Sequence, residues 1–468
     1  MASLRELLLH AAARAADYRE EAAGGPVFPL DLNVDEVRDR LGSLRDHSTS
    51  PETALDELVR AVMPALVAST GPRYFGFVVG GALDAATAAD VLTTGWDQLA
   101  FNASTSPAAA VVEEVAGGWL KELLGLPPSA SFGFVTGGQA ANTVLLAAAR
   151  HHVLAQVGWD VERDGVAGAP PVRVVATGER HATIDRALRL LGLGTAVVEP
   201  VATDDQGAID VADLAAVLER GPTAPTIVCL QAGNVNSGAF DDLGRATAVG
   251  HRHAAWVHVD GAFGLWAASS PATRHLTAGM EAADSWATDG HKWLNVPYDS
   301  GYAFCAHPGA HAAAMSYTAA YLTGQGEGGL RAPSDYVLES SRRARGFATW
   351  VALRQLGRQG VAELVERCCS LARRFADRLR AVEGVSVVND VVLNQVLVSF
   401  GGDDETGRVI DLVQRSGECW MGGTSWHGRR LMRISVSNWC TTEADVDRSA
   451  AAIMAAAERS GHERVGPS

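Results

Sequence analysis

The apolar positions of the chain alternate between two patterns over most of its length. From about residue 85 onward, helical stretches alternate with short β-branched runs at 172–176 (VRVVA), 226–230 (TIVCL), 256–259 (WVHV) and 302–306 (YAFCA). Short apolar runs that are separated by helices are typical of a mainly parallel sheet. The pattern therefore predicts a large α/β domain.

The two ends of the chain have other patterns. Residues 1–80 look helical, and a long helical pattern follows residue 340, after which strand-like segments (VSVVND, QVLVSF, LMRISVSNW) alternate with helices. Such a mixture is typical of a smaller α+β domain. We predict a helical N-terminal segment at 1–80, a large domain at 81–355 and a small C-terminal domain at 356–468.

The composition is that of a globular protein and argues against several partners. Of 468 residues, 47% are hydrophobic and 20% are charged, and the formal net charge is −15. This acidity and the lack of a basic block argue against a nucleic-acid partner. No apolar run reaches about 18 residues, so we expect no membrane-spanning helix. The amphipathic start of the chain is not typical of a signal peptide.

The cysteines show no spacing that is typical of a metal site or a disulfide framework. No CxxC motif occurs, and several cysteines lie in apolar segments. The pattern predicts reduced thiols, a cytoplasmic protein and no bound metal. The six positions are Cys229, Cys305, Cys368, Cys369, Cys419 and Cys440.

The segment TDGHKWLNVPYDSG at 288–301 holds one of only two lysines, and the other 37 basic residues are arginines. Arginine stays protonated near pH 7, whereas burial or neighbouring cations lower the pKa of a lysine enough for it to act as a nucleophile. The retention of Lys292 therefore suggests that an amine is required there, although a surface position explains it equally well when it is taken alone. Lys121, in WLKELLG, fits an ordinary surface lysine.

Three further segments carry groups that could contact one phosphorylated cofactor with a pyridine ring, as in a pyridoxal phosphate enzyme. Asp260 ends the predicted strand WVHVD, where a carboxylate faces the ligand crevice and can hold a protonated pyridine nitrogen. Gly137 and Gly138 precede a helix whose first N–H groups can bind phosphate. His181 follows a predicted strand, where its ring can stack on the pyridine. Taken alone, a helix cap explains Asp260 equally well, a tight turn explains the glycines, and a loop position explains His181.

These segments, in this order, resemble the pyridoxal phosphate-dependent group II amino acid decarboxylases. The resemblance covers most of the chain and implies the fold of type I pyridoxal phosphate enzymes, with a mainly parallel seven-stranded sheet flanked by helices. It also implies a homodimer with its sites at the interface. The matching segments are GPRYFGF (71–77), NASTSPAAAVVEE (102–114), TGGQAAN (136–142), HVDGAFG (258–264), DGHKWLNVPYDSG (289–301) and SRRARGFATWVALR (341–354).

The resemblance also implies roles for single residues. Lys292 would bind the cofactor covalently, and Asp260 would pair with its pyridine nitrogen. His181 would stack on one face of the ring and contact the substrate, and Ala262 would pack on the other face. The remaining expected contacts are Gly138, Gln139, Ala140 and His291 at the phosphate, Asn234 near the cofactor ring, and Phe77, Trp96 and Phe101 in the substrate pocket.

The implied reaction is the decarboxylation of an L-amino acid, aromatic or otherwise hydrophobic, to its amine. In this family a tyrosine on a mobile loop donates the proton that replaces carbon dioxide, commonly in the neighbouring subunit's site. The corresponding residue is Tyr336, in TGQGEGGLRAPSDYVLESS. Packing at the start of the next helix is the other explanation of Tyr336, with His181 or Tyr321 as the donor instead.

Other functions stay open at this point. A related carbon–carbon lyase or an aldehyde synthase would use the same cofactor, although such synthases in this family typically carry Phe at the loop tyrosine. An aminotransferase needs an arginine for the α-carboxylate; Arg433 is a candidate, but the polar face of a strand explains it better. A regulatory protein that binds the cofactor without turnover does not need the full set of Lys292, Asp260 and His181.

Overall fold

A computed structural model of the chain describes residues 3–317 and 330–462. The helices are α1 (Leu4–Gly24), α2 (Val34–Leu41), α3 (Pro51–Val62), α4 (Asp84–Trp96), α5 (Pro107–Leu123), α6 (Gly138–Ala155), α7 (Val161–Asp164), α8 (Ala182–Leu190), α9 (Val211–Arg220), α10 (Leu243–Arg252), α11 (Pro308–Met315), α12 (Gly346–Arg380), α13 (Asp403–Ser416) and α14 (Glu443–His462). Within these residues, no helix has the length and apolar character that a membrane span requires.

The strands are β1 (Ser131–Val135), β2 (Arg173–Thr177), β3 (Val198–Val201), β4 (Thr226–Gln231), β5 (Trp256–Asp260), β6 (Ser285–Asp289), β7 (Gly301–Cys305), β8 (Val385–Val387), β9 (Gln395–Phe400), β10 (Gly422–Trp426) and β11 (Arg429–Ser435). Short 3₁₀-helices lie at Met63–Ala65, Gly264–Ser269, Arg274–Thr277, Met280–Ala282 and Pro333–Tyr336.

The chain forms two compact units. One consists of Ala82–Ser370 and Asn389–Gln395, and the other of Met1–Gly81, Leu371–Val388 and Val396–Ser468. The helical start of the chain therefore belongs to the same unit as most of the C-terminal part. The boundary that we predicted between residues 355 and 356 falls inside α12, whereas the two units divide after Ser370.

The larger unit is built on a seven-stranded sheet in the order β1-β7-β6-β5-β4-β2-β3. The pairs from β3 through β6 are parallel, and β7 is antiparallel to both of its neighbours. Every residue of β1, β2, β4, β5, β6 and β7 is buried, which explains their continuous apolar runs. The predicted α/β fold with a mainly parallel seven-stranded sheet is confirmed.

This topology brings the ends of several strands to one edge of the sheet. Because β1 and β6 are both antiparallel to β7, they run in the same direction as the parallel strands. The edge therefore carries the C-terminal residues of β5 and β6, Asp260 and Asp289, and the N-terminus of α6, which follows β1. Ligand crevices of open α/β sheets lie at this edge.

Helix α6 is largely enclosed, as its alanine-rich sequence allows. Its buried residues include Val144, Leu145 and Leu146, which belong to a core cluster together with side chains of β2, β4 and α8. Burial on most of its faces fixes the position of its first turn, which contributes to the site described below.

The smaller unit contains the four-stranded sheet β10-β11-β9-β8, with β10 antiparallel to β11 and β8 antiparallel to β9. Arg433 lies on β11 opposite Gly422. Tyr74 stacks on Trp420 with ring centroids 5.0 Å apart, and Phe77 packs on the same indole at 5.3 Å.

Candidate active site

A cavity of about 480 Å³ lies at the carboxyl edge of the large sheet. Its lining residues come from five separate regions of the chain. Four of them lie at or after the C-terminal ends of β1, β2, β5 and β6, and the fifth is Leu338, after the 3₁₀-helix Pro333–Tyr336. The sequence-predicted residues that line it are Gly138, Gln139, Ala140, His181, Ala262, His291 and Lys292. Among the described residues, no group of three or more His, Cys, Asp or Glu side chains is placed to hold a metal ion.

The first turn of α6 forms a cradle for an anion. The backbone N–H groups of Gln139 and Ala140 donate no hydrogen bond within the part of the chain that the structure describes. A Cβ atom on Gly137 would lie 2.8 Å from the His291 ring, and one on Gly138 would lie 2.9 Å from Asp289 Oδ2. Only glycine keeps this cradle open, which fits the phosphate group of pyridoxal phosphate.

The carboxylate of Asp289 lies at the centre of the site, and the sequence analysis did not predict a role for this residue. Its buried carboxylate accepts the Gly138 N–H at 2.5 Å and lies 2.9 Å from the amine of Lys292. The Gly138 N–H is therefore already bonded, and Gln139 and Ala140 are the backbone donors that remain for a phosphate. The motif DGHKW includes Asp289, but a local motif does not indicate a contact with a glycine that is 151 positions away.

The ring of His291 has a defined tautomer. Its Nδ1 accepts the backbone N–H of Ser300 at 3.1 Å, so the proton of the neutral ring is on Nε2, which lies 3.4 Å from Asp289 Oδ1. Burial lowers the pKa of His291, against an opposing effect of Asp289. A neutral imidazole with an Nε2–H next to the cradle is a suitable donor to a phosphate oxygen.

Asp260 is held by two donors at the end of β5. Asn142 Nδ2 donates to Oδ2 at 3.1 Å, and the backbone N–H of Ala262 donates to Oδ1 at 3.2 Å. These two hydrogen bonds orient the carboxylate, which can accept a further hydrogen bond from a protonated pyridine nitrogen. Ala262 lines the cavity, so the carboxylate lies directly behind a residue that faces the ligand space.

His181 is the N-cap of α8, because its Nδ1 accepts the backbone N–H of Thr183 at 3.3 Å. The Thr183 hydroxyl lies 2.9 Å from the same nitrogen. Both residues line the cavity. The cap anchors one edge of the imidazole, as a ring that stacks on a cofactor requires.

Sequence reasoning also missed the buried residues behind Asp260. Asn142 was in the quoted segment TGGQAAN and His258 in HVDGAFG, but neither was given a role. His258 Nε2 lies 3.0 Å from Asn142 Oδ1, although the two residues are 116 positions apart. Each of the two is a polar residue two positions from a predicted site residue, Ala140 or Asp260, and this spacing was the available signal.

The buried neutral His258 predicts a loss of stability in acid. Burial lowers its pKa from 6.5 to about 4. Between these values the unfolded chain binds a proton that the folded chain does not, so the free energy of unfolding falls as the pH is lowered, by about 3 kcal/mol at pH 4 for this group alone. Urea unfolding at pH 7 and pH 5 checks this, since His258→Gln is expected to show a smaller difference. An equal difference in both proteins would contradict the prediction.

Other predicted residues lie away from this cavity. Asn234 is buried, and its Oδ1 accepts the N–H groups of Asn236 and Ser237 within a turn. Phe101 is buried elsewhere in the larger unit, and Trp96 is 52% exposed and packs edge-to-face on Phe347. None of these three predicted residues lines the cavity. Phe77 belongs to the smaller unit.

Tyr336 does not line the cavity either. Its ring packs 5.1 Å from that of His311 and 4.3 Å from the guanidinium of Arg331, and its carbonyl accepts from His311 Nε2 at 3.0 Å. Leu338, two positions further on, does line the cavity. Tyr321, the alternative donor, lies outside the described residues.

Comparisons with known proteins agree with this geometry. The chain is 28% identical over 456 residues to Tryptophan decarboxylase 1 of Oryza sativa subsp. japonica, which covers 90% of this chain and 87% of that protein. It is 26% identical over 423 residues to 4-hydroxyphenylacetaldehyde synthase of Rhodiola rosea, which covers 86% of this chain and 84% of that one.

The fold is similar to solved structures as well. The crystal structure of Oryza sativa TDC with PLP and tryptamine superposes with a TM-score of 0.90 at 26% identity, over 97% of this chain and 98% of that chain. The pyridoxal-dependent decarboxylase conserved domain matches residues 41–401. The resemblance noted in the sequence is thereby confirmed, together with the cofactor and the enzyme class, and the chain belongs to the family of pyridoxal phosphate-dependent amino acid decarboxylases.

Proposed function

We propose that this protein converts an aromatic L-amino acid to its amine and carbon dioxide. The observation that carries the proposal is the placement of Lys292, His181 and Ala262 around one cavity, with Asp260 directly behind Ala262. Names of similar proteins support the aromatic class, since they include a tryptophan decarboxylase and a 4-hydroxyphenylacetaldehyde synthase. A regulatory protein that binds the cofactor without turnover would not need all four of these residues.

Each residue has a task in this proposal. Pyridoxal phosphate, when bound, supplies an electron sink for the electron pair that carbon dioxide leaves at the α-carbon. The amine of Lys292, oriented by Asp289 at 2.9 Å, would hold the cofactor covalently. Asp260 would keep a proton on the ring nitrogen, and His291 with the N–H groups of Gln139 and Ala140 would hold the phosphate.

Release of carbon dioxide from single amino acids tests the substrate class. We expect release from L-tryptophan, L-tyrosine or L-phenylalanine, with the matching amine as product, and much less from L-glutamate. Because each amine is identified by mass, decarboxylation is separated from transamination. Release from L-glutamate and from none of the aromatic amino acids would overturn the aromatic assignment and leave the decarboxylase assignment intact.

An aldehyde synthase is the second candidate, because one of the similar proteins is named as such. The presence of Tyr336 supports the simple decarboxylase, on the family pattern described above. Tyr336 does not line the cavity of its own chain, and in the proposed dimer it would donate a proton in the neighbouring subunit's site. Tyr336 as the proton donor stays a prediction.

Replacing Tyr336 by phenylalanine removes only a hydroxyl group and is expected to lower amine formation by about 10²–10⁴-fold, as the loss of a general acid does. The long-lived electron pair at the α-carbon would then react with dioxygen and give aldehyde, ammonia and peroxide. Product analysis under air and under argon measures this. Tyr317→Phe is the control, since Tyr317 bonds to Ser340 and does not line the cavity. Unchanged amine formation in Tyr336→Phe would show that this residue only packs.

We infer a homodimer with its sites at the interface. Helix α4 exposes Val91 by 47%, Leu92 by 50% and Trp96 by 52%, and α1 exposes Leu4 by 73% and Leu9 by 64%. Apolar side chains that cluster on one element favour coverage by a partner, and a second copy satisfies this with closed two-fold symmetry. A cytoplasmic location stays a prediction from the sequence.

Sedimentation velocity tests the dimer. We expect a dimer of the 49.1 kDa chain at micromolar concentration. The double substitution Leu92→Asp, Trp96→Asp is expected to give a monomer with less than a tenth of the activity, because its sites would be incomplete. Val157→Asp is the control, as Val157 is 52% exposed and does not line the cavity. A fully active wild-type monomer would contradict the inference.

A further inference from the structure

A chain of buried hydrogen bonds runs from the indole of Trp256 to the carboxylate of Asp260. Trp256 Nε1 donates to Ser285 Oγ at 2.9 Å, and Ser285 Oγ lies 2.9 Å from His258 Nδ1. His258 Nε2 lies 3.0 Å from Asn142 Oδ1, and Asn142 Nδ2 donates to Asp260 Oδ2 at 3.1 Å. All five side chains are buried.

The position of every hydrogen in this chain follows from its two ends. The indole can only donate and the carboxylate can only accept. Asn142 therefore turns its amide nitrogen towards Asp260 and its Oδ1, which only accepts, towards His258. His258 Nε2 must donate to this Oδ1, so Nδ1 of the neutral His258 ring accepts the hydroxyl hydrogen of Ser285, whose oxygen accepts from Trp256.

The same amide group begins a second branch. Asn142 Nδ2 also donates to Thr183 Oγ1 at 3.0 Å, and this hydroxyl oxygen lies 2.9 Å from His181 Nδ1. The Thr183 backbone N–H points to the same nitrogen at 3.3 Å and can only donate. Because Nδ1 accepts this N–H, it carries no proton in the neutral His181 ring, so the Thr183 hydroxyl donates to it as well and the ring proton is on Nε2. The two N–H bonds of Asn142 are thereby divided between Asp260 and Thr183.

We propose that Asn142 is a positioning residue that couples Asp260 to His181: its amide, oriented by His258, holds the carboxylate and, through Thr183, fixes His181 as the Nε2–H tautomer. The proposal rests on the proposed function for the tasks of Asp260 and His181, but the hydrogen-bond order stands on the structure of the chain alone. One side chain would thus set both the carboxylate at the ring nitrogen and the imidazole at the ring face.

The chain offers variants that separate the two branches. Asn142→Asp keeps the shape of the side chain but replaces its donor group by an acceptor, so it breaks both branches and places a second carboxylate beside Asp260. Thr183→Val removes only the branch to His181, and Thr183→Ser restores it. Thr247→Val is the matched control, because Thr247 is a buried threonine on α10 whose hydroxyl has no hydrogen-bond partner in the described chain.

The first measurement is the tautomer of His181. Nitrogen-15 NMR of the full chain with labelled histidine, with and without pyridoxal phosphate, reports which ring nitrogen carries the proton, and His181→Gln assigns the signals. We expect the Nε2–H form in the wild type, in Thr183→Ser and in Thr247→Val. Thr183→Val leaves His181 Nδ1 with only the longer contact from the Thr183 backbone N–H at 3.3 Å, and in Asn142→Asp the Thr183 hydroxyl is expected to donate to the new carboxylate instead. Both variants are therefore expected to give a mixture of both tautomers, in which the Nε2–H form is still present. The wild-type tautomer alone in Thr183→Val would overturn the coupling, even if Asn142→Asp did not fold.

The second measurement is the dissociation constant of pyridoxal phosphate. Asn142→Asp is expected to raise it at least tenfold through Asp260, whereas Thr183→Val is expected to change it less than threefold. A purely structural role of Asn142 would lower stability without this difference between the variants, and equal dissociation constants would overturn the proposal. Neither measurement involves turnover, so a failure of the proposed substrate class would leave these results unaffected.

Discussion

Replacing Lys292 by alanine is expected to abolish both turnover and covalent attachment of the cofactor, while the fold stays intact. The Lys292 amine lies 2.9 Å from the buried carboxylate of Asp289 and lines the cavity that also contains His181. We expect turnover to fall by about 10⁴-fold or more, within the range measured when a covalent nucleophile of another enzyme is removed. Lys292→Arg is expected to be equally inactive, because a guanidinium keeps its charge but does not act as an amine nucleophile.

The low lysine content makes this prediction simple to measure. Borohydride reduction of the cofactor-loaded protein, followed by mass spectrometry of its peptides, locates the attached cofactor on one of two lysines. Lys121→Arg is the matched control: Lys121 donates to the carbonyls of Pro128 and Ala130, and arginine keeps a donor there. Turnover by Lys292→Arg near the wild-type rate would refute the whole catalytic assignment.

The residues that could be predicted from the sequence are those whose signal is local. Lys292 was prominent because arginine replaced lysine almost everywhere else, and Asp260 because it ends an apolar strand. The first turn of α6 was marked by two glycines before a helix-forming segment. In each case a few adjacent residues indicated both the element and the chemistry, and the structure places Lys292 and the α6 turn around one cavity, with Asp260 behind it.

The residues that were missed are those whose role depends on distant contacts. Asp289 bonds to Gly138 across 151 positions, and Asn142 bonds to His258 across 116, so no local pattern indicates either contact. The predicted substrate residues Trp96 and Phe101 were inferred from family positions, and neither lines the cavity of a single chain.

The strands also divide into those with a local apolar pattern and those without one. The buried strands β2, β4, β5 and β7 lie within one or two residues of the predicted apolar runs, because burial on both faces requires a continuous apolar sequence. Strand β3 has the sequence VEPV, contains a proline and is only partly buried, and β10 has the sequence GGTSW. Both lacked the pattern of a strand, since pairing with a neighbour rather than their own composition holds them in the sheet.

Replacing Asp260 by alanine is expected to have the second largest effect. The carboxylate is buried, with an exposed fraction of 6%, and accepts from Asn142 and from the Ala262 N–H. Removing one partner of a buried ion pair costs about 3–5 kcal/mol, so the loss of the carboxylate is expected to lower turnover by about 10²–10⁴-fold and to weaken binding of pyridoxal phosphate. Asp260→Glu keeps the charge and is expected to retain much more activity than Asp260→Ala.

Turnover and the dissociation constant of pyridoxal phosphate, measured for both variants, test this role. Asp241→Asn is a matched control, because Asp241 is a buried carboxylate that accepts the N–H groups of Gln231 and Ile209 and does not line the cavity. The control is expected to lose stability and to keep the wild-type affinity for the cofactor. If Asp260→Ala kept the wild-type turnover, the carboxylate would serve only to hold Asn142 and Ala262, and the ring nitrogen of the cofactor would have to be held by another group.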